Sequence, residues 1–163
     1  MNPTEFDACF DKLLGNEGGY VSPQEAAARC DPGGETNWGV CKRSYPNEDI
    51  SKLTQDRAKQ IYLADFWNAC HASMLPPEAR FDVFDGAVNS GVTQSLKWLQ
   101  QAVDVEPDGV IGPATLAAIG KLPGAVISAR FNGYRLRFMC GLKNWPQSSR
   151  GWAKRIASNL IGA

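Results

Sequence analysis

The 163-residue chain has the length of one domain, and its 17 basic and 17 acidic residues give a formal net charge of zero at pH 7. Hydrophobic residues make up 44% of the chain and charged residues 21%, values that are ordinary for a protein folding around its own core. The balanced charge argues against a nucleic-acid binder that reads phosphates through a strong positive field, and no stretch reaches the ~18 apolar residues needed to span a bilayer.

The first elements predicted along the chain are a helix, a loop-rich hairpin region and a second helix. Thr4 followed by Asp7 indicates a capped helix that ends at Gly15. Glycines and prolines disfavour helix from residue 18 to about 45, where Tyr20-Val21 and Trp38-Gly39-Val40 indicate two short strands. Thr54 then begins a helix with apolar residues near one face up to Trp67.

The rest of the chain reads as helices. Prolines at 76–77 and at 113 suit first helical positions, Thr93 is a predicted cap, and two amphipathic segments cover about 124–140 and 149–161. We therefore predict a mainly α domain spanning 1–163, with a small β hairpin region near the N-terminus.

Carboxylates are the candidate catalytic groups, because the sequence does not fit zinc, serine or cysteine hydrolases. With His71 as the one histidine, zinc hydrolases that use two or three histidines do not fit, and no serine or cysteine nucleophile motif accompanies it. None of the five cysteines forms a Cys-x-x-Cys pair, which argues against a structural zinc site. We expect no metal and no other cofactor. Glycosidic bond hydrolysis is the reaction that two carboxylates perform without a cofactor.

Glu17 is the outstanding carboxylate, because it lies where a helix ends and Gly18-Gly19 begin. The helix would fix its side chain, and the glycines would let a polymer approach closely. Partial burial against aromatic neighbours such as Tyr20 or Trp38 would raise its pKa, as a general acid requires. Spacing alone, however, favours an ordinary exposed residue at a helix end.

A second polar cluster occupies the turn at residues 31–39 (DPGGETNWG). Asp31 is a candidate for activating water or stabilising an oxocarbenium-like transition state, and equally for forming an Asx turn. Thr36 is a candidate for positioning that water, and Glu35 for facing solvent. Cys30 and Cys41 flank the turn and could be joined by a disulfide in an oxidising compartment.

Several blocks resemble glycoside hydrolase family 108, found in phage endolysins and related bacterial muramidases. The matching blocks, in the family's order, are residues 17–21 (EGGYV) with 31–39, 62–67 (YLADFW), 84–91 (FDGAVNSG), and 99–103 (LQQAV) with 108–116 (DGVIGPATL). The last of these is similar to the family's peptidoglycan-binding segment. The resemblance places the catalytic motifs in 1–91 and a helical, peptidoglycan-binding-like segment in 92–163.

The resemblance implies a lysozyme-like α+β fold that hydrolyses the β-1,4 bond between N-acetylmuramic acid and N-acetylglucosamine. Glu17 matches the catalytic glutamate, and Asp31 and Thr36 are similar to the aspartate and threonine of a Glu-Asp-Thr set. The expected substrate-binding residues are Tyr20, Asn37, Trp67 and Asn89. Tyr20 and Trp67 can also be read as core aromatics, and Asn89 as a helix C-cap.

Two alternatives stay open: a lytic transglycosylase on the same fold, and a non-catalytic peptidoglycan-binding module. The expected partner is the glycan strand of peptidoglycan, without nucleic acid, bound by a monomer. Because residues 1–5 lack the basic and apolar regions of a signal peptide, we expect synthesis in the cytoplasm and action at the cell wall in the periplasm. A holin, secretion machinery or an immunity protein would then be a further partner, depending on whether the chain serves phage lysis or interbacterial attack.

Overall fold

The structure, a computed structural model, describes residues 4–15, 19–28 and 33–162. Within these ranges the protein is mostly helical, with one two-stranded antiparallel sheet, which confirms the predicted fold class. The helices are α1 (Glu5–Leu14), α2 (Pro23–Ala28), α3 (Gln55–Tyr62), α4 (Pro77–Ser90), α5 (Val92–Ala102), α6 (Pro113–Ile119), α7 (Gly124–Cys140) and α8 (Trp145–Ile161). The strands are β1 (Thr36–Asn37) and β2 (Val40–Cys41), and shorter turns form 3₁₀ helix at Ile50–Lys52 and Ala72–Met74 and π-helix at Leu63–Asn68.

The chain divides into two compact units, Met1–Asp65 and Phe66–Ala163. The first unit holds α1 to α3 and the sheet, and the second holds α4 to α8. The boundary lies inside the π-helical turn and not near residue 91, where the sequence motifs change. The single domain over 1–163 stays a prediction.

In the first unit, α1 and α3 pack through apolar side chains. The cap of α1 is the predicted one, because the Thr4 hydroxyl accepts from the Asp7 backbone while the Asp7 carboxylate accepts from Thr4. Phe10 of α1 is fully buried and meets Tyr62 of α3 edge-on at 5.3 Å between ring centroids. Burying an aromatic ring contributes roughly 1.5–3 kcal/mol, so this contact stabilises the packing of α1 against α3.

An ion pair between Asp7 and Lys59 gives this packing a pH dependence. The two charged groups lie 3.0 Å apart. Hydrogen bonds from the side chain and backbone of Thr4, and then the pairing with Lys59, lower the pKa of Asp7 from 3.8 to about 2. A lowered folded-state pKa stabilises the fold above the unfolded value, and that stabilisation is lost as the pH falls toward the folded value.

We expect Asp7→Asn to lower the thermal unfolding midpoint at pH 7 and to lower it much less near pH 2, as followed by circular dichroism. Asp11 provides the matched control, because its carboxylate is 4.0 Å from the same ammonium and its side chain is 62% exposed. Asp11→Asn should change the midpoint little at either pH. An Asp7→Asn effect of equal size at both pH values would contradict the assignment.

A short helix, α2, lies where the glycines and prolines predicted only loops and strands. The prediction was wrong at Pro23, which occupies the first helical position, where its missing N–H costs nothing. Ser22 and Glu25 form a capping box, since the Glu25 carboxylate accepts from the Ser22 backbone at 2.9 Å and the Ser22 hydroxyl accepts from the Glu25 backbone at 3.3 Å. The Ser-x-x-Glu signal for this helix was present in the sequence.

The two strands of the sheet lie on either side of Trp38 and Gly39, which were predicted to be part of a strand. Trp38 and Gly39, predicted as strand, form the turn between β1 and β2, with φ angles of 50° and 76°. Positive φ at both central residues is what a tight two-residue hairpin turn requires. A Cβ at position 39 would also lie impossibly close to the Tyr62 hydroxyl. Both the positive φ and the lack of space therefore favour glycine at this position.

In the second unit, α4, α5 and α7 enclose the core. Trp98 and Phe131 are almost completely buried and meet edge-on at 5.9 Å. Gly86 lets α4 approach its neighbours, because a Cβ there would stand 2.8 Å from both the Phe131 ring and the Ser95 hydroxyl. The glycine of the 84–91 motif therefore has a packing role.

Two predicted helix starts in this unit were wrong. Thr93 does not cap α5, because Gly91, with φ 87°, turns the chain directly from α4 into a helix that begins at Val92. The last helix begins at Trp145 and not near 149, since Pro146 fits within its first turn and does not interrupt it. The predicted starts at Thr54, Pro77 and Pro113 are confirmed.

Among the residues that the structure describes, no helix combines the length and the apolar character required to cross a membrane.

Candidate active site

Glu17 and Asp31 lie outside the residues that the structure describes. Glu17 lies between the described residues Gly15 and Gly19, and Asp31 lies between the described residues Ala28 and Gly33. The geometry available for the predicted site therefore comes from the segments on either side of these two carboxylates. In the sequence, Glu17 precedes the described Gly19 by two residues, and Asp31 precedes the described Gly33 by two residues.

Backbone pairing brings these two segments together. Val21 and Thr36 form an antiparallel bridge, with N···O distances of 2.7 and 3.0 Å in the two directions. The bridge adds the segment that follows residue 17 to the free edge of β1. The described segments that follow Glu17 and Asp31 in the chain are thus neighbours.

A side-chain hydrogen bond reinforces this pairing. The Tyr20 hydroxyl donates to Glu35 Oε1 at 2.7 Å, and the Tyr20 side chain is 45% exposed. The hydrogen bond to Glu35 raises the pKa of Tyr20, so the phenol stays protonated and donating at neutral pH. Glu35, a candidate for facing solvent, is half-buried and accepts the hydrogen bond that orients the Tyr20 ring.

Thr36 and Asn37 have opposite environments, as successive strand residues should. The Thr36 hydroxyl is partly buried and donates to the Gly34 carbonyl at 3.1 Å, which leaves its oxygen lone pairs able to accept. Asn37 is only 8% exposed, and its amide nitrogen donates to the carbonyls of Ile50 and Leu53 at 3.1 and 3.3 Å. Both N–H groups of Asn37 therefore fasten the hairpin and are not offered to a ligand.

The neighbouring Trp38 has the same fastening function. Its indole N–H donates to the Leu53 carbonyl at 3.1 Å. Since Leu53 is also held by Asn37, the hairpin is fixed to the segment that leads into α3. Thr36, whose hydroxyl makes one donated hydrogen bond to the Gly34 carbonyl, keeps an oxygen that can accept a further hydrogen bond.

Trp67 and Asn89 lie in the second unit, where each has a clear structural role. Trp67 is 3% exposed, donates from its indole N–H to the Ser73 hydroxyl at 2.9 Å and packs edge-on against Phe84. The Trp67 ring is part of the hydrophobic core, which agrees with the alternative interpretation of Trp67 as a core aromatic. Asn89 donates from its amide nitrogen to the carbonyl of Asp85 at 2.7 Å and to its carboxylate at 3.1 Å.

The 84–91 motif also contains a charged centre that sequence reasoning missed. Asp85 is fully buried and pairs with Arg135 at 2.6 Å and with Arg155 at 2.8 and 2.6 Å. Burial disfavours the ionised carboxylate, but the two guanidinium charges and their hydrogen bonds outweigh it and lower the pKa of Asp85. Asp85 thereby ties α4 to α7 and α8.

The polar residues of the 99–116 block are also turned inward. Gln100 is buried, with its amide nitrogen donating to Asp108 at 2.6 Å and to the Val110 carbonyl at 3.0 Å. Its oxygen accepts from the Gly109 backbone at 2.7 Å. These bonds close the loop between α5 and α6, so this part of the motif stabilises the fold.

No three histidine, cysteine, aspartate or glutamate side chains within the described part of the chain converge as ligands for a metal ion. Cys41 carries a thiol that donates to the Ser44 hydroxyl at 3.3 Å. Cys30 lies outside the described residues, and its disulfide with Cys41 stays a prediction.

The helices and the small hairpin make this a lysozyme-like α+β protein. Its sequence matches the family model for glycosyl hydrolase 108 over residues 10–91, which includes both predicted carboxylates. The structure is similar to that of SagA from Brucella abortus, with a TM-score of 0.82 and 30% sequence identity over 96% of this chain and 91% of that one. No curated protein gives a significant match.

The chain belongs to the glycosyl hydrolase 108 family and is a glycoside hydrolase.

Proposed function

We propose that the chain hydrolyses the β-1,4 bond between N-acetylmuramic acid and N-acetylglucosamine in peptidoglycan. The observation that carries the proposal is the Val21–Thr36 bridge, which joins the segments following Glu17 and Asp31 within the part of the chain that matches the family. Two carboxylates on neighbouring segments are what glycoside hydrolysis needs.

In this proposal Glu17 is the general acid that protonates the leaving oxygen of the glycosidic bond. Asp31 stabilises the oxocarbenium-like transition state or activates water, and Thr36 positions that water. The contacts of Thr36 fit this role, because its hydroxyl hydrogen is used on Gly34 and its oxygen can accept a hydrogen from the water. Tyr20, half exposed and oriented by Glu35, provides a ring face on which a sugar can stack.

A lytic transglycosylase is the alternative on the same fold. Without a positioned water, the muramic acid's own hydroxyl would capture the transition state and leave an anhydro end. The polar oxygen of Thr36 favours hydrolysis. The chemical structure of the product, and not the loss of polymer, therefore distinguishes a hydrolase from a transglycosylase.

Incubation of the wild-type chain with purified peptidoglycan should produce new muramic acid reducing ends. Fragments are reduced with borohydride and analysed by mass spectrometry, since only free reducing ends take up hydrogen. Anhydromuramic ends in their place would establish the transglycosylase. Intact peptidoglycan that retains the protein would establish a binding module.

We further propose that residues 92–163 contribute to binding the wall polymer. The support is a set of exposed basic residues on and just before α8, namely Lys143, Arg150 and Lys154, which can contact anionic groups of the wall. The site of action is then the cell wall, where the chain acts as a monomer on glycan strands. Cosedimentation with purified wall at rising salt concentration tests this, and salt-independent binding would contradict it.

A further inference from the structure

A surface groove lies between α5 and α7, and all of its lining residues belong to the second unit. Its volume is about 640 Å³, within the usual range of ligand sites. Trp98, Phe138 and Leu142 form its apolar part, and Phe138 is 41% exposed. The Phe138 ring meets the buried Trp98 ring edge-on at 5.4 Å between centroids, so it is held in one orientation. The groove therefore offers a preformed apolar contact to a ligand.

Five polar side chains line the same groove in two rows. Gln94, Lys97 and Gln101 follow one another along one face of α5, while Tyr134 and Arg137 stand on α7. Within the described residues, none of these five side chains makes a hydrogen bond or an ion pair. Their polar groups are not used to hold the fold together, so all of them are available to a ligand.

The charge of the groove is positive. Lys97 and Arg137 are its charged residues, and no aspartate or glutamate is found among the described residues that line it. Asp108, whose pKa is lowered first by its hydrogen bond from Gln100 and last by the charge of Lys97, does not line the groove. No acidic residue follows Asp108 in the sequence, so α7 and α8 carry positive charges alone. Two unpaired cations in such surroundings favour a ligand with carboxylates.

The two glutamines indicate what kind of anion fits. A glutamine amide both donates and accepts hydrogen bonds and so matches a peptide group, which does the same, whereas a phosphate group mainly accepts. Gln94 and Gln101 are seven residues apart (101 minus 94). Seven residues correspond to roughly 10 Å along a helix, which is the length of about three residues of an extended peptide. The row on α5 therefore suits a short stretch of extended, acidic peptide.

The apolar part of the groove indicates where such a peptide comes from. Trp98, Phe138 and Leu142 offer a surface large enough for a leucine or phenylalanine side chain. The short peptides of the bacterial wall have alanine as their apolar residue, which would leave most of this surface uncovered. A segment of a protein, with a large apolar residue between acidic ones, matches the groove more completely.

We infer that this groove binds an extended, acidic segment of a protein partner. Carboxylates of the segment pair with Lys97 and Arg137, and its backbone amides bond to the glutamines of α5. One large apolar side chain of the segment packs on Phe138. This recognition by the second unit does not depend on glycan cleavage by the first.

The first test selects peptides on the full wild-type chain from a display library of random seven-residue peptides. The enriched peptides should combine at least two carboxylates with one large apolar residue. The strongest binder is then compared with an analogue in which glutamine and asparagine replace its acidic residues. In fluorescence anisotropy the analogue should bind at least tenfold more weakly. Enrichment of neutral or basic peptides, the absence of any enrichment, or equal binding by the analogue would overturn the inference.

The second test locates the carboxylates of the peptide. Lys97→Gln and Arg137→Gln should each weaken binding of the selected peptide, and together they should weaken it at least tenfold. Both side chains lack an ion pair within the described residues, so both variants should fold. Lys121→Gln is the control, because Lys121 is an exposed cation of the same unit that does not line the groove. An equal effect of Lys121→Gln and Arg137→Gln would show that only the overall charge of the unit matters.

The third test concerns the apolar contact. Phe138→Ala should weaken binding of the peptide at least tenfold, since it removes the exposed ring on which the apolar side chain packs. Val126→Ala is the matched control, because Val126 lies on the same helix, is 40% exposed and does not line the groove. Unchanged binding by folded Phe138→Ala would exclude this groove as the site.

Competition experiments separate a protein partner from two other anionic surfaces. Neither soluble peptides released from purified wall nor vesicles of an anionic phospholipid should displace the selected peptide when added at equal concentration. Full displacement by wall peptides would make the groove a wall-binding surface, and full displacement by vesicles would make it a membrane contact. Either result would overturn the inference.

Discussion

Glutamine in place of Glu17 is expected to abolish the release of soluble fragments from purified peptidoglycan. Glutamine preserves the size of the side chain but cannot donate a proton to the leaving oxygen, and general acid catalysis contributes roughly a hundredfold to ten-thousandfold in rate. The loss should appear in the turnover rate, while cosedimentation with the polymer stays unchanged. Turbidity and reducing-end assays on the same preparations measure both.

Glu35→Gln is the matched control for this experiment. Glu35 lies in the same candidate site and accepts from Tyr20 at 2.7 Å, and a glutamine oxygen can accept the same hydrogen bond. This variant should retain most of the wild-type activity. If Glu35→Gln were inactive and Glu17→Gln active, the acid would have been assigned to the wrong carboxylate. Matching circular dichroism spectra would confirm that both variants fold.

Features set by near neighbours could be predicted from the sequence. The cap of α1 depends on residues three positions apart, and the starts of α3, α4 and α6 depend on a threonine or a proline at a fixed position. The same local rules also predict α2, because Ser22 and Glu25 form a capping box and Pro23 is compatible with the first position of a helix. The sequence therefore contained the information needed to predict α2.

The hairpin was misplaced for a different reason. Trp38 and Val40 are typical strand residues, but the residue between them is a glycine that has no room for a side chain beside Tyr62. The turn is therefore set by a contact with a residue 23 positions further along the chain (62 minus 39). Strand propensity alone carries no information about such a contact.

The site contacts were the least predictable feature. Tyr20 and Glu35 are 15 residues apart, while Asp85 is 50 residues from Arg135 and 70 from Arg155. No local periodicity relates positions at these separations. The family resemblance marked Glu17 and the motif around Asp85 but did not separate catalytic from structural residues within the blocks.

Asp85→Asn is expected to lower the free energy of unfolding of the second unit by about 3–5 kcal/mol, because it leaves the guanidinium of Arg135 buried without a counter-charge. Arg135 and Asp85 are both completely buried, so solvent does not screen the loss. Asn159, which donates to the same carboxylate at 3.2 Å, cannot replace the charge. Urea denaturation followed by tryptophan fluorescence measures the change, since four of the five tryptophans lie in this unit.

Asp104→Asn is the matched control, because Asp104 also pairs with an arginine, Arg130, at 2.7 Å, but is 68% exposed. Asparagine also tolerates the positive φ of 58° at this position. An exposed pair is worth at most about 1 kcal/mol, so this variant should remain close to the wild type. Equal effects of the two substitutions would mean that burial does not govern the strength of the Asp85 pair.

The pH dependence of these variants separates a charge effect from a packing effect. The folded pKa of Asp85 is lowered from its ordinary value of 3.8, because the two arginines outweigh the cost of burial. Its contribution to stability is therefore complete above the unfolded pKa and disappears as the pH falls through the folded one. The wild type and Asp85→Asn should converge in stability at the acid end of this range, where the wild-type carboxyl is also neutral. A gap that stays constant down to that pH would assign the effect to altered packing and not to the lost charge.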